Sequence, residues 1–199
     1  MTKTRQLFDA KRTTRQSLNS NVDESYKSAI RALGLQVIEP ESAVNFERKD
    51  FGGIYVPGGE YGGFKSPGGR HTVVCAPGVK FKKPIQVEGV LILANAFLDC
   101  ENNSPAITVL ATGRLILQQC QITKGDNLQK AAADTYVQVM AGGYASINSC
   151  IFHGTQTNTG ALVYNADALN PGRVAVSGAM NLTDIAAPYT NVTYSQDVP

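Results

Sequence analysis

The sequence has no tryptophan, only two histidines and a charged fraction of 17%. Nowhere does it run for about 18 apolar residues in a row, so no segment reads as a membrane span. Its four cysteines, Cys75, Cys100, Cys120 and Cys150, form no CxxC pair. Neither His71 nor His153 stands at ligand spacing from two cysteines, which removes the common zinc patterns. HExxH, GxSxG and HxE…CxxC are all missing. The formal net charge of +2 is too small to call for a nucleic-acid partner of the whole chain. Residues 1–20 have no apolar core segment and do not read as a secretory signal. A reducing compartment and free thiols follow as the expectation. The Asn-x-Ser/Thr patterns at Asn102, Asn181 and Asn191 then carry no glycosylation meaning.

What is present is apolar content of 43%, with 19 glycines and nine prolines. A chain of 199 residues can bury a core without staples, as one domain or as one domain with an arm. Residues 1–20 hold Lys3, Arg5, Lys11, Arg12 and Arg15 against Asp9 alone. They read as a solvated arm, or as an arm that docks on an acidic surface. Asn21 and Glu24 form a capping-box pattern, and Val22, Tyr26, Ala29, Ile30 and Leu33 recur at helical spacing. Gly34 fits the left-handed position after the helix. A helix of three turns is marginal alone, so its stripe needs a partner. Lys3, Arg5, Lys11, Arg12, Arg15, Val22, Tyr26, Ile30 and Leu33 are therefore the candidate partner-binding residues.

Residues 35–50 read as a linker, which closes a first region at 1–50. The stretch 52–69, GGIYVPGGEYGGFKSPGG, cannot be a helix interior and lacks the GKS/GKT of a phosphate loop. It reads as tight turns entering a sheet domain, or as a contact loop carrying Tyr55, Tyr61 and Phe64. Short runs rich in Val, Ile, Leu and Thr, punctuated by Gly, Asn, Asp and Pro, fill the chain to about Leu182. The β domain is accordingly placed at 51–182. Residues 183–199 read as an extended tail, whose Ile185, Tyr189, Val192 and Tyr194 could lie along a neighbouring subunit.

A repeat runs through the β region. Gly113-Arg-Leu-Ile-Leu-Gln-Gln-Cys120 aligns with Gly143-Tyr-Ala-Ser-Ile-Asn-Ser-Cys150 and with Gly172-Arg-Val-Ala-Val-Ser-Gly-Ala179. Leu115/Leu117, Ala145/Ile147 and Val174/Val176 alternate with outward residues, and a two-residue polar or small corner follows. A degenerate earlier copy ends at Cys100. One such strand cannot bury its inner face alone, whereas coils stacked about 4.8 Å apart share one core. Cys100, Cys120, Cys150 and Ala179 are thus expected at equivalent inward positions, the thiols acting as small hydrophobes.

The run ITVLATGRLILQQCQI, followed by YVQVMAGGYASINSCIF, resembles right-handed parallel β-helix proteins of the pectin-lyase-like kind. The resemblance covers roughly residues 71–182 and implies an all-β fold, a short right-handed parallel β-helix. Phage tailspikes and other virion appendages use that fold as homotrimers. With the basic arm, short helix and Gly/Pro-rich neck, the resemblance implies a trimeric phage structural protein located in the virion and assembled in the host cytoplasm. The leading expectation is a capsid decoration (cement) protein bound to the major capsid protein or another virion protein. A tail or head-fibre attachment protein is the alternative, and a small polysaccharide lyase or depolymerase the third. No cofactor and no metal is expected, and neither membrane nor nucleic acid is expected as a partner.

The family includes lyases and glycosidases, so carboxylates matter. Asp99 and Glu101 flank Cys100, and alternation would put both on one outward face about 6–7 Å apart. Glycoside hydrolysis uses such pairs, but neither later coil repeats the acids, so a solvated coil edge is the plainer reading. Arg114 and Arg173 follow repeat glycines at equivalent places without an acid cluster. They read as a contact or solubility feature. Lys80, Lys82 and Lys83 around Phe81 form a small basic patch, read as a solvated face. Both histidines read as turn or surface residues.

Overall fold

The computed structural model of the chain describes residues 28–29, 31–32, 34, 36–37, 53–66, 68–99, 105–123, 135–153, 161–182 and 189–195. Their backbone winds through six successive coils, each giving one strand to each of three sheets. The first sheet holds Gly53–Val56, Arg70–Cys75, Val90–Ala94, Arg114–Gln118, Tyr144–Asn148 and Val174–Ser177, with Gln36–Val37 and Thr193–Ser195 added at its two ends. The second holds Gly59–Tyr61, Val79–Phe81, Phe97–Asp99, Gln121–Thr123, Ile151–His153 and Met180–Leu182. Lys65–Ser66, Ile85–Val87, Ile107–Val109, Val137–Val139, Val163–Asn165 and Tyr189–Thr190 make the third. Every pairing joins one coil to the next in parallel. The fold is therefore an all-β parallel solenoid. An immunoglobulin-like sandwich, built from antiparallel sheets, is excluded.

The inward residues explain the stacking. Leu91/Leu93, Leu115/Leu117, Ala145/Ile147 and Val174/Val176 lie one above another in the first sheet, all buried. Phe81, Leu98, Ile122 and Phe152 repeat this in the second sheet. Ile85/Val87, Ile107/Val109 and Val137/Val139 do so in the third. Burying one such side chain contributes roughly 1.5–3 kcal/mol, so each coil is stabilised by neighbours that fill the same columns. A one-residue slip would turn the whole set outward.

Between the first and second sheets, a single residue takes the left-handed conformation in each of four coils: Asn95 (φ 59°), Gln119 (φ 54°), Ser149 (φ 53°) and Gly178 (φ 55°). For a non-glycine residue this costs about 1–3 kcal/mol. The stacked corners offset it. The N–H groups of Asn95, Gln119 and Ser149 donate to the carbonyls of Gln118, Asn148 and Ser177 in the next coil, at 3.0, 3.1 and 3.0 Å. The next residue is small and faces the narrow corner. The N–H groups of Gln121, Ile151 and Met180 donate to the carbonyls of Ala96, Cys120 and Cys150.

The register thus aligns Ala96, Cys120, Cys150 and Ala179, the last of them only half-buried. This corrects the alignment on Cys100. The column member of the earlier coil is Ala96, and Cys100 itself lies outside the described residues. The shared terminal cysteine misled the alignment, because the corner is set by the left-handed residue and not by the sulfur.

Three further readings are corrected. Residues 53–66 are a full coil and not an entry turn or contact loop: Tyr55 and Phe64 are buried, and the Tyr61 hydroxyl donates to the Pro57 carbonyl at 2.8 Å. His71 is not a surface residue but 1% exposed, in register with the inward Leu91. The segment read as a tail supplies Tyr189–Thr190 and Thr193–Ser195, which pair with Val163–Tyr164 and Ala175–Ser177, so the solenoid runs past residue 182. Tyr189 and Tyr194 stack there with ring centroids 4.5 Å apart.

In the N-terminal region Ser28, Ala29, Arg31 and Ala32 have helical backbone and exposed side chains. Gly34 follows in the left-handed conformation (φ 75°), its N–H donating to the Arg31 carbonyl at 2.9 Å. Lys3, Arg5, Lys11, Arg12, Arg15, Val22, Tyr26, Ile30 and Leu33 lie outside the described residues. Among the described residues no helix is long and apolar enough to cross a membrane.

Two of the three repeat glycines, Gly113 and Gly143, sit where coils approach closely, whereas a Cβ on Gly172 would meet nothing within 4 Å. A Cβ on Gly113 would lie 2.3 Å from the Val87 carbonyl oxygen, and one on Gly143 would lie 2.8 Å from that of Leu110. Gly113→Ala should therefore destabilise the fold by about 1–3 kcal/mol, the range of overpacked sites. Gly62→Ala, where a Cβ meets nothing within 4 Å, should change stability by less than about 0.5 kcal/mol. Urea midpoints of the two variants measure the difference, and equal midpoints would refute the close-approach account.

Candidate functional site

At the start of five consecutive first-sheet strands, the residue after a glycine stands at the same edge of the solenoid. Arg70, Val90, Arg114 and Tyr144 are in direct register, and Arg173 precedes Val174, which pairs with Ala145. Each of the five follows a glycine: Gly69, Gly89, Gly113, Gly143 or Gly172. The Arg114 guanidinium lies 4.4 Å from the Tyr144 ring centre and that of Arg173 lies 5.1 Å from it. Each such contact contributes about 0.5–1 kcal/mol at an exposed position. Arg114 and Arg173 were legible as an equivalent pair in the sequence. Tyr144 between them was missed, although it too follows the repeat glycine.

Arg173 is held from behind. Buried Asn165 donates from Nδ2 to the carbonyls of Asp167, Asn170 and Asn191, at 3.3, 3.2 and 3.0 Å. Its Oδ1 accepts the Asp167 N–H at 3.0 Å. The Asp167 carboxylate accepts from Asn170 Nδ2 at 3.0 Å and stands 3.6 Å from Arg173 Nε. Two large apolar side chains are exposed in the corners that lead into this edge: Met140 follows the third-sheet strand Val137–Val139, and Leu169 is 92% exposed in the corner before Arg173. Neither was singled out from the sequence, because exposure of a lone apolar residue leaves no sequence signal.

The other candidates are dispersed. Asp99 Oδ2 pairs with Lys82 Nζ at 2.6 Å, and Glu101 lies outside the described residues. Lys80 stands over the Phe97 ring at 5.7 Å, and His153 stacks on the same ring at 5.9 Å. Phe81 is buried in the core, so Lys80, Lys82 and Lys83 surround no aromatic platform there. Among the described residues no group of three His, Cys, Asp or Glu side chains could hold a metal ion.

Cys75, Cys120 and Cys150 are free and buried. The Cys120 thiol donates to the Leu93 carbonyl at 3.4 Å, and that of Cys150 to the Asn148 carbonyl at 3.4 Å. The hydrogen bond with Cys150, and then burial, push the Cys120 thiol up. Burial pushes Cys75 up to about 12. These are packing thiols, without the cationic, partly exposed surroundings that make a cysteine nucleophilic.

The solenoid matches no family model, no curated protein and no solved structure.

Three acids, Cys75 and Tyr136 buried and Tyr189 half-buried, set an alkaline limit. Cys75, and likewise Tyr136 and Tyr189, keep their protons in the fold to about 12 but release them nearer 9 and 10 when unfolded. Their contribution is complete below pH about 9 and drains as pH rises toward 12. The thermal midpoint should fall steadily between those values. Cys75→Ala should flatten that fall relative to its own neutral-pH midpoint, and an unchanged slope would contradict the assignment.

Proposed function

We propose that the chain is a non-enzymatic phage virion structural protein, a capsid decoration protein. It acts as a homotrimer and is anchored to the major capsid protein by residues 1–34. One observation carries the reading: a stack of coils whose described carboxylates are scattered, three of them each in an ion pair and Glu60 exposed apart from them. Glu88 pairs with Lys65 at 2.9 Å, Asp99 with Lys82 at 2.6 Å and Asp167 with Arg173 at 3.6 Å. Glycoside cleavage needs two carboxyls about 5–10 Å apart across one sugar ring, and such a dispersed set favours a binding body over a reaction cleft. Attachment at many symmetry-related places would stabilise a shell by mass action and multivalency.

A tail or head-fibre attachment protein is the second reading. Four consecutive coils have a longer connection at one corner, between Asp99 and Ile107, Thr123 and Val137, His153 and Val163, and Leu182 and Tyr189. Additional segments on a rigid scaffold are where recognition residues commonly sit. Copy number per particle separates the two readings, being high for a decoration protein and low for an appendage.

Removal of residues 1–34 should abolish co-sedimentation with purified shells while the far-UV spectrum and thermal transition of the β domain persist. Normal decoration by the truncated chain would overturn the anchoring role. A reducing-end assay on acidic and neutral polysaccharides should show no turnover. Turnover that disappears in Asp99→Ala would make the chain an enzyme.

A further inference from the structure

We propose that the outward edge formed by Arg70, Arg114, Tyr144 and Arg173, with Met140 and Leu169, is a docking surface for an acidic, leucine-rich protein segment. The inference rests on the attachment reading above and adds a second contact, on the β domain itself, to the arm.

The charge is unbalanced. Neither Arg70 nor Arg114 has an acidic partner among the described residues, and Arg173 has Asp167 alone. The arginines recur on every second coil, so by coil spacing their backbones stand roughly 10 Å apart. Tyr144 is clamped between two of the guanidiniums and holds both in place, which lowers the entropy lost when they bind. Carboxylates suit such forks, because guanidinium binds them bidentately.

The apolar neighbours select among polyanions. Met140 and Leu169 are exposed, each four residues before a member of the row, Tyr144 and Arg173 respectively. A polyphosphate or a sulfated sugar would leave them in water. A polypeptide that alternates acidic and aliphatic residues would cover them while pairing the arginines. Arginine, tyrosine and methionine are also the residue types enriched at the centres of protein interfaces. Among the described residues the large exposed apolar side chains, from Met140 to Tyr194, all belong to the later coils, so the apolar part of the surface lies toward the Arg114–Arg173 end of the arginine row.

The test measures fluorescence anisotropy of a labelled peptide of alternating glutamate and leucine with the full-length chain. The peptide should bind, and its glutamine–leucine counterpart should not. Arg114→Glu should weaken binding by about tenfold or more, Arg114→Gln by less, and Lys80→Glu on the second sheet by under about twofold. Absence of peptide binding overturns the proposal, as does equal weakening by Lys80→Glu. So does tighter binding of a heparin fragment or a single-stranded oligonucleotide that displaces the peptide, because the surface would then be a general polyanion site. The peptide assay contains no shells. A failure here leaves the anchoring role of residues 1–34 standing, and a failure of the truncation experiment leaves this surface standing.

Discussion

The parallel backbone ladder between successive coils is the constraint from which the rest of the structure follows. Each coil satisfies its N–H and C=O groups by pairing with the coils before and after it, so every coil must bring the same kind of residue to the same place. Apolar residues at alternate positions fill the columns. One left-handed residue turns the corner, followed by a side chain no larger than cysteine in the three best-matched coils and their neighbour. Glycine stands where one coil's carbonyl presses on the next. Stability is accordingly nearest-neighbour in character, and a fault in one coil is felt chiefly by the two that touch it.

The same constraint arranges the surface. A column on the inside implies a column on the outside, so any residue type that recurs after the repeat glycine becomes a ladder. Arg70, Arg114 and Arg173 are such a ladder, and Tyr144 interrupts it at the one place where a ring can be gripped from both sides. The variable lengths of the coils are absorbed mainly at the corner after the second sheet, and once before the first sheet, between Asn165 and Val174, with the strand pairing kept on either side. Regular faces with length variation kept to the corners suit a body that displays contacts at fixed spacing.

Much of this was legible in the residues. The alignment on Gly113 and Gly143 is the register of the first sheet, because close approach of carbonyls permits no Cβ there, whereas Gly172 keeps the same register in open space. Leu115/Leu117 and its counterparts alternate cleanly, because one face is buried. The errors have physical causes. Cys100 looked like a column member because cysteine repeated, yet the corner needs a left-handed residue two places before the next strand, and Asn95 supplies it. Residues 53–66 looked like turns because glycine and proline dominate them, but tertiary pairing overrides local propensity when the following coil offers a partner to each of its three strands. His71 looked like a surface residue because an isolated polar side chain in a strand does not declare its face. Tyr144 was overlooked because its role depends on cations two columns of sequence away, which only the stacked register brings together.

The central claim is the stacking register itself, and backbone nuclear Overhauser contacts test it most directly. The account predicts that the Ile116 amide shows contacts to both Ile92 and Ser146 in a parallel pattern, with Cys120 next to Ala96 on one side and Cys150 on the other. Antiparallel contacts, a single neighbour for Ile116, or Cys100 in the place of Ala96 would contradict it.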